Sequence, residues 1–299
     1  MKNKHLISIV GPTAIGKTSL SIKLAKKLGC EIISADSRQF FKEMEIGTAK
    51  PTKEEMDGVP HHFVDFISVD EKYTAGQFEK DVLTKLEELF EKNDTVIMVG
   101  GSGLYVKAVL NGIDEVPADE KIREELNERL IFEGIRPLQL ELKELDEEHF
   151  NRMDIRNPQR LIRALEVCLV SGKPYSDFRK RTVKERPFSI TRIGLTADRE
   201  LIYDRINQRV DLMMEAGLEK EAKILFPKKE LNSLNTVGYK ELFDYFEEKI
   251  TLEQAIEKIK QNTRNFAKRQ MTWFKKDEGT TWFQHDEVSK IESFIDETL

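Results

Sequence analysis

Residues 11–18, GPTAIGKT, have the residue types and the spacing of a phosphate-binding loop. The segment follows an apolar run, HLISIV, and precedes a helical pattern, SLSIKLAKKLG, so it lies where a strand turns into a helix. In a G-x-x-x-x-G-K-[ST] loop, backbone N–H groups hold phosphate oxygens, the lysine reaches the terminal phosphates and the hydroxyl can bind Mg²⁺. We therefore predict a site for a phosphorylated ligand, formed by Gly11, Pro12, Thr13, Ala14, Ile15, Gly16, Lys17 and Thr18.

In nucleotide hydrolases an acid that assists Mg²⁺ ends a second apolar strand. Here the candidate carboxylate follows a different strand. The apolar run TVIMV continues into two glycines, and no acid follows it until Asp114, so the metal site of a nucleotide hydrolase is incomplete. The run CEIISADSRQ instead places Asp36 at the carboxyl end of a strand, where open parallel sheets bind their ligands. Asp36 is the candidate for acid–base chemistry, and the alternative is a helix cap or turn residue.

Two arginines farther along the chain share one face of a predicted helix over residues 198–217. Arg205 and Arg209 are four residues apart, so their guanidinium groups repel each other unless an anion lies between them. The alternative is that both are solvated surface residues, screened by Asp204 and Asp211.

The elements that must position these residues alternate between strand and helix in the first part of the chain, which predicts a mostly parallel sheet flanked by helices. Residues 117–182 change to helical periodicity throughout, and a strand returns afterwards. We therefore expect an α/β, P-loop-type core domain, residues 1–116 plus 183–299, with an all-helical insertion domain at 117–182. The predicted strands are 5–10, 31–35, 62–68, 95–99, 188–197 and 280–286, and the predicted core helices include 17–28, 74–92, 103–110 and 198–217.

Composition is that of an ordinary globular protein, with 39% hydrophobic and 34% charged residues in 299. No apolar run approaches the length of a membrane span, and the first strand begins too early to leave room for a signal peptide. Cys30 and Cys168 are far apart and match no metal or redox spacing. These features predict a cytoplasmic protein that does not bind membranes.

The net charge of −6 argues against a nucleic-acid partner, but the charge is unevenly distributed. Residues 156–192 hold ten basic and three acidic residues, and residues 258–276 hold seven basic residues and no acid. These segments are consistent with a phosphate-binding face, and the alternative is a pair of solvated basic helices.

Seven stretches of the sequence together resemble one family, the tRNA dimethylallyltransferases, also called tRNA isopentenyltransferases. They span nearly the whole chain, and their combination is far more specific than a P-loop alone. They are GPTAIGKT (11–18), ISADSRQ (33–39), MEIGTAKP (44–51), VGGSGLY (99–105), NPQRLIRALEV (157–167), VGYKE (237–241) and AKRQMTWFK (267–275).

The resemblance implies that the P-loop holds dimethylallyl diphosphate with Mg²⁺ on Thr18, and that Lys17, Arg205 and Arg209 neutralise the departing diphosphate. The acceptor would be the exocyclic amine of the adenosine immediately 3′ of the anticodon in tRNA. Asp36 would be the general base, and Lys17 and Ser102 would be the other catalytic residues, with Ser102 at a position where many members have threonine. A monomer that binds the tRNA anticodon stem-loop is implied, through Asp36, Ser37, Arg38, Gln39, Ser102, Arg123, Gln159, Arg160, Leu161, Ile162, Arg163, Gly238 and Tyr239.

Two alternatives remain open at this point. The first is an enzyme of the same fold that acts on a small molecule, either as a kinase or by prenylating a free adenine nucleotide. A small acceptor would need neither the insertion nor the basic segments. The second is a non-catalytic RNA-binding protein with a structural P-loop, which the combination of Lys17, Thr18 and Asp36 disfavours.

Overall fold

A computed structural model of the chain describes residues 4–179 and 183–299. These form two compact units, a core unit, Met1–Leu110 with Glu185–Leu299, and a helical unit, Asn111–Lys184. The helical unit contains the insertion expected at 117–182, of which residues 180–182 lie outside the described residues.

Within the described residues of the core unit, six parallel strands form one sheet in the order β3-β2-β4-β1-β5-β6. The predicted α/β class with a mostly parallel sheet is confirmed. The central strands β1 and β4 are buried along their whole length because helices cover both faces of the sheet. The strands are β1 (His5–Val10), β2 (Ile32–Ser34), β3 (His61–His62), β4 (Thr95–Gly100), β5 (Ser189–Thr196) and β6 (Thr281–Gln284).

Alternate residues of the central strands enter different apolar clusters. Along β4, Val96 and Met98 belong to one cluster, and Ile97 and Val99 belong to the other. Since side chains alternate across a strand, the two clusters lie on opposite faces of the sheet. The helices described for the core unit are α1 (Lys17–Leu28), α2 (Lys53–Met56), α3 (Ala75–Lys92), α4 (Gly103–Asn111), α9 (Arg199–Glu215), α10 (Leu218–Leu225), α11 (Tyr239–Phe246), α12 (Leu252–Phe274) and α13 (Val288–Thr298).

The prediction of a strand at residues 62–68 is wrong. The structure has only the two-residue strand β3 there, followed by an isolated bridge between Phe41 and Ile67. Phe63 and Asp65 adopt φ angles of 61° and 60°, and a strand cannot continue through left-handed residues. Phe63 and Phe66 pack edge-on against each other in an aromatic cluster.

The helical unit contains no strand among its described residues. Its core is formed by apolar side chains at helical spacing, among them Leu126, Leu138 and Leu161, all at most 1% exposed. None of the described helices of either unit has the length and hydropathy of a membrane span. The helices of this unit are α5 (Glu120–Glu133), α6 (Ile135–Leu145), α7 (Glu147–Arg152) and α8 (Pro158–Ser171).

Candidate active site

The P-loop follows β1 and continues into α1, as the sequence predicts. Its last two residues, Lys17 and Thr18, are the first two residues of that helix. Ala14 and Gly16 have φ angles of 63° and 104°, left-handed conformations of the kind that turn successive N–H groups toward one side. The first turn of α1 carries no acidic residue, so its positive end favours an anion.

The ammonium group of Lys17 is folded back onto the loop, where Nζ donates to the carbonyl oxygen of Pro12 at 2.7 Å. Burial lowers the pKa of Lys17 to about 8, while nearby Asp36 raises it and Arg209 lowers it. Burial also lowers the pKa of Arg209. Two cations held partly out of water beside a helix N-terminus form a site for a polyanion.

Asp36 follows β2, and its surroundings bear on both roles considered for it. Its Oδ1 accepts a hydrogen bond from the N–H of Arg38 at 3.0 Å, which is the turn interaction expected of an aspartate at this position. Asp36 also lines two cavities, so a turn role and a chemical role are compatible. Next to it, Ser102 Oγ accepts from the N–H of Ser37 at 2.9 Å and lies 3.0 Å from Ser37 Oγ.

The described residues of the core unit enclose two adjoining cavities. The first, about 640 Å³, is lined by the P-loop, including Lys17 and Thr18. The second, about 960 Å³, is lined by the segment after β2, the start of α4 and one face of α12. The residues common to both linings mark where the cavities meet, and they are Thr13, Asp36, Thr48, Ala49, Arg209 and Met213.

Both predicted diphosphate-binding arginines of α9 approach the P-loop. Arg209 Nη1 lies 3.4 Å from Thr13 Oγ1, and Arg205 Nη1 lies 3.4 Å from the carbonyl oxygen of Ile15. Arg209 lines both cavities, whereas Arg205 lines neither and directs Nη2 to His285 at 2.9 Å. The two guanidinium groups are therefore not equivalent with respect to a ligand.

Gln270 is a site residue that sequence reasoning missed. Its Oε1 accepts from the N–H of Thr13 at 2.9 Å, and its Nε2 donates to the carbonyl oxygen of Gly101 at 3.0 Å. A Cβ atom at Gly101 would lie 2.2 Å from Gln270 Nε2, so a side chain at this position would displace the carboxamide. The carboxamide thus joins the P-loop to the glycines after β4. The motif AKRQMTWFK contained this residue, but nothing local to it indicated the bridge.

The predicted RNA-contacting residues of the core unit differ in accessibility. Arg38 and Gly238 line the second cavity, although the Arg38 guanidinium also donates to the carbonyl oxygen of Ser233 at 2.7 Å. Gln39 lines the first cavity. Tyr239 is 0% exposed and lies in the apolar core, so the expectation that it contacts RNA is wrong. Position 239 faces inward because α11 turns its apolar side to that core.

The same distinction applies in the helical unit. Gln159 and Arg160 are exposed at the start of α8. Leu161 and Ile162 are 0% and 5% exposed and pack in the core of the unit, so direct RNA contact through their side chains is excluded. They are consecutive residues on the buried side of an amphipathic helix.

Arg123 and Arg163 are held by a buried carboxylate. Glu166 is 0% exposed, and its Oε2 accepts from Nη2 of Arg123 and from Nη1 of Arg163, each at 2.8 Å. Arg163 also donates to the carbonyl oxygens of Val116 and Pro117. A buried carboxylate needs such partners, so both arginines have a structural role.

The chain was compared with protein families, curated proteins and solved structures. The model of the family described as IPP transferase matches residues 39–277. A tRNA dimethylallyltransferase of Christiangramia forsetii is 57% identical over 289 residues, which is 96% of each chain. One of Flavobacterium johnsoniae is 55% identical, covering 99% of this chain and 98% of that protein.

Solved structures agree with these sequence matches. The tRNA isopentenylpyrophosphate transferase of Bacillus halodurans is 39% identical with a TM-score of 0.73, covering 98% of this chain and 96% of that chain. A eukaryotic dimethylallyltransferase described as acting on tRNA is 27% identical with a TM-score of 0.79, covering 96% of this chain and 75% of that chain. Since the family match includes most of the sequence and these relatives align along nearly its whole length, the chain belongs to the IPP transferase family.

Proposed function

We propose that this protein transfers a dimethylallyl group from dimethylallyl diphosphate to the exocyclic N6 amine of the adenosine immediately 3′ of the anticodon in tRNA. The products are N6-dimethylallyladenosine and diphosphate. The observation that carries the proposal is the position of Asp36, which lines both a P-loop cavity and a second, larger cavity. A base between a donor site and an acceptor site is the arrangement that group transfer to an amine requires.

The donor is assigned to the first cavity. Backbone N–H groups of the P-loop, Lys17 and Arg209 would bind the diphosphate, with Arg205 supporting the loop through the carbonyl oxygen of Ile15. When the allylic C–O bond breaks, negative charge accumulates on the leaving diphosphate. Cations already positioned there stabilise the transition state more than the bound substrate.

Mg²⁺ fits this site as an ion carried mainly by the substrate. The described residues contain no group of three His, Cys, Asp or Glu side chains that could hold a metal. Mg²⁺ commonly takes one or two protein ligands beside phosphate oxygens, and the exposed Thr18 hydroxyl lines the first cavity as such a ligand. The ion would supply further neutralisation of the diphosphate charge.

The acceptor is assigned to the second cavity. An aromatic amine is a weak nucleophile, so a carboxylate that takes its proton while the C–N bond forms accelerates the reaction by about 10²–10⁴-fold. Asp36 would be that base, and Ser102 would orient the base or the Ser37 backbone beside it. The target adenosine must leave its stack to reach this depth.

The walls of the second cavity suit a single-stranded RNA loop. Arg38, Lys240, Lys258 and Arg269 provide positive charge, and Trp273, which is 43% exposed, also lines this cavity. Cations and exposed aromatic side chains bind phosphates and stack on unpaired bases. We propose that Gln159 and Arg160 of the helical insertion, residues 117–182, add phosphate contacts to this binding. The protein would act as a monomer in the cytoplasm, where tRNA is available.

Mass spectrometry of nucleosides from unmodified tRNA tests the proposal, after incubation with protein, Mg²⁺ and dimethylallyl diphosphate and without ATP. We expect one adenosine to gain about 68 Da, the mass of C₅H₈. Parallel reactions with AMP and ATP as acceptors test the free-nucleotide alternative. Product on AMP or ATP but not on tRNA would refute the proposed acceptor.

A further inference from the structure

Residues 45–50 form a loop that borders both cavities, and we call it the partition loop. Ile46 lines the first cavity, Gly47 lines the second, and Thr48 and Ala49 line both. The position of this loop therefore sets the dimensions of the two sites at the point where they meet.

One carboxylate on another element holds the beginning of the partition loop. Glu221 of α10 accepts hydrogen bonds from three consecutive backbone N–H groups, those of Glu45 at 3.0 Å, Ile46 at 2.8 Å and Gly47 at 2.9 Å. Three charge-assisted hydrogen bonds to one side chain define the position of a loop far better than neutral contacts do.

Tyr239 of α11 completes this attachment. Its hydroxyl donates to Glu221 Oε1 at 2.6 Å, and burial raises the pKa of Tyr239, so the phenol remains a donor. A Cβ atom at Gly47 would lie 2.6 Å from the Tyr239 ring, so the loop packs directly on this side chain. Neither Glu221 nor Tyr239 lines either cavity.

The far end of the partition loop is attached independently. Gln39 Nε2 donates to the carbonyl oxygens of Thr48 at 3.2 Å and Ala49 at 3.1 Å. Lys50 forms an ion pair with Asp65 at 2.8 Å. Loss of Glu221 would therefore displace the loop without releasing it from the protein.

We propose that Glu221 and Tyr239 are positioning residues for the transfer reaction, acting through the partition loop to fix Thr48 and Ala49 where donor and acceptor meet. This inference rests on the proposed function. Reacting groups lose rate steeply when they are misplaced, by about 10²-fold for a displacement of about 1 Å. The effect should fall on the chemical step more than on tRNA affinity, because most of the RNA-binding surface lies elsewhere.

The test compares Glu221→Gln and Tyr239→Phe with the wild type in single-turnover reactions at saturating donor and tRNA. In Glu221→Gln the NH₂ group of the carboxamide faces backbone N–H groups and cannot accept hydrogen bonds from them. We therefore expect a loss of about 30- to 100-fold in rate. Tyr239→Phe removes one of four donors to Glu221 and should lose about 3- to 10-fold. Affinity for tRNA should change by less than about threefold in both variants.

Two controls separate positioning from general damage. Glu219→Gln makes the same chemical change on the same helix α10, and Ile295→Val makes a conservative change in the core, away from the partition loop. Thermal unfolding is measured for all four variants. Hydrogen exchange should accelerate at the amides of residues 45–47 in Glu221→Gln and in neither control.

Wild-type rates in both Glu221→Gln and Tyr239→Phe would overturn the inference. So would a rate loss of the same size in Ile295→Val at an equal loss of thermal stability. A loss of tRNA affinity in the two variants as large as their loss of rate would overturn it as well. If Glu221→Gln fails to fold, Tyr239→Phe still provides the comparison. A wild-type protein that does not modify tRNA would instead refute the proposed function, so the two failures are distinguishable.

Discussion

Raising the pH through about 8 should weaken binding of the diphosphate donor, because it removes the charge of Lys17 in the free protein. Burial lowers the pKa of Lys17 to about 8. A diphosphate placed against Nζ favours the protonated form, so the pKa of Lys17 in the complex rises above that value. Binding is therefore strongest below pH 8, and above pH 8 it must be accompanied by uptake of a proton.

The magnitude follows from the fraction of free protein that carries the charge. With the pKa at about 8, Lys17 is roughly 90% protonated at pH 7 and roughly 10% protonated at pH 9. If Lys17 in the complex stays protonated, the affinity for the donor falls about tenfold over this interval, equivalent to about 1.4 kcal/mol. An ordinary, fully solvated lysine would give almost no change over the same range.

Calorimetric titration with a non-reactive dimethylallyl diphosphate analogue measures this dependence, with Mg²⁺ held constant. Lys17→Arg is the matched control, since a guanidinium keeps its charge over the whole range. Any pH dependence that comes from ionisation of the diphosphate itself is then the same for both proteins. The wild type should lose about tenfold more affinity than Lys17→Arg between pH 7 and pH 9. Parallel profiles for the two proteins would refute the assignment of Lys17 as a buried, titrating cation at the diphosphate.

The other predictions concern the base, the arginines and the helical unit. Asp36→Asn should bind both substrates but lose about 10²–10⁴-fold in single-turnover rate, and a wild-type rate would refute the base assignment. Arg209→Ala should raise the Kd for the donor more than Arg205→Ala does, because Arg209 alone of the two lines the cavities; equal effects in calorimetry would contradict this. Arg160→Ala should lower the slope of log affinity for tRNA against log salt by about one unit, and an unchanged slope would remove this phosphate contact. Arg163→Ala should lower the free energy of unfolding by about 1–3 kcal/mol, since the buried Glu166 loses one of its partners, and unchanged denaturant unfolding would refute that role.

The sequence alone was sufficient for the parts of the site that depend on near neighbours in the chain. The P-loop, the strand β1 before it and the helix α1 after it follow from spacing, apolar runs and a glycine that ends the helix. Asp36 is a candidate because a parallel strand ends beside it, and the absence of an acid after β4 distinguishes this sequence from that of a nucleotide hydrolase. Such signals are local because backbone geometry over a few residues determines them.

Predictions from local sequence patterns were wrong where the backbone conformation or the burial of a side chain differs from what the pattern indicates. Phe63 and Asp65 take left-handed conformations inside a run that reads as a strand, and an aromatic cluster stabilises that departure. The motif containing Arg160 also includes Leu161, which faces the core, because a stretch of amphipathic helix has both an exposed and a buried side.

Tertiary structure alone decided how the distant parts of the site are joined. Gln270 reaches a P-loop that is 257 residues away in the chain, and Glu221 binds backbone N–H groups more than 170 residues before it. Backbone donors and acceptors are the same at every residue, so the sequence cannot indicate which of them a side chain will find. That choice depends on how α12 packs against the P-loop and how α10 packs against the partition loop, and folding of the whole core unit determines it.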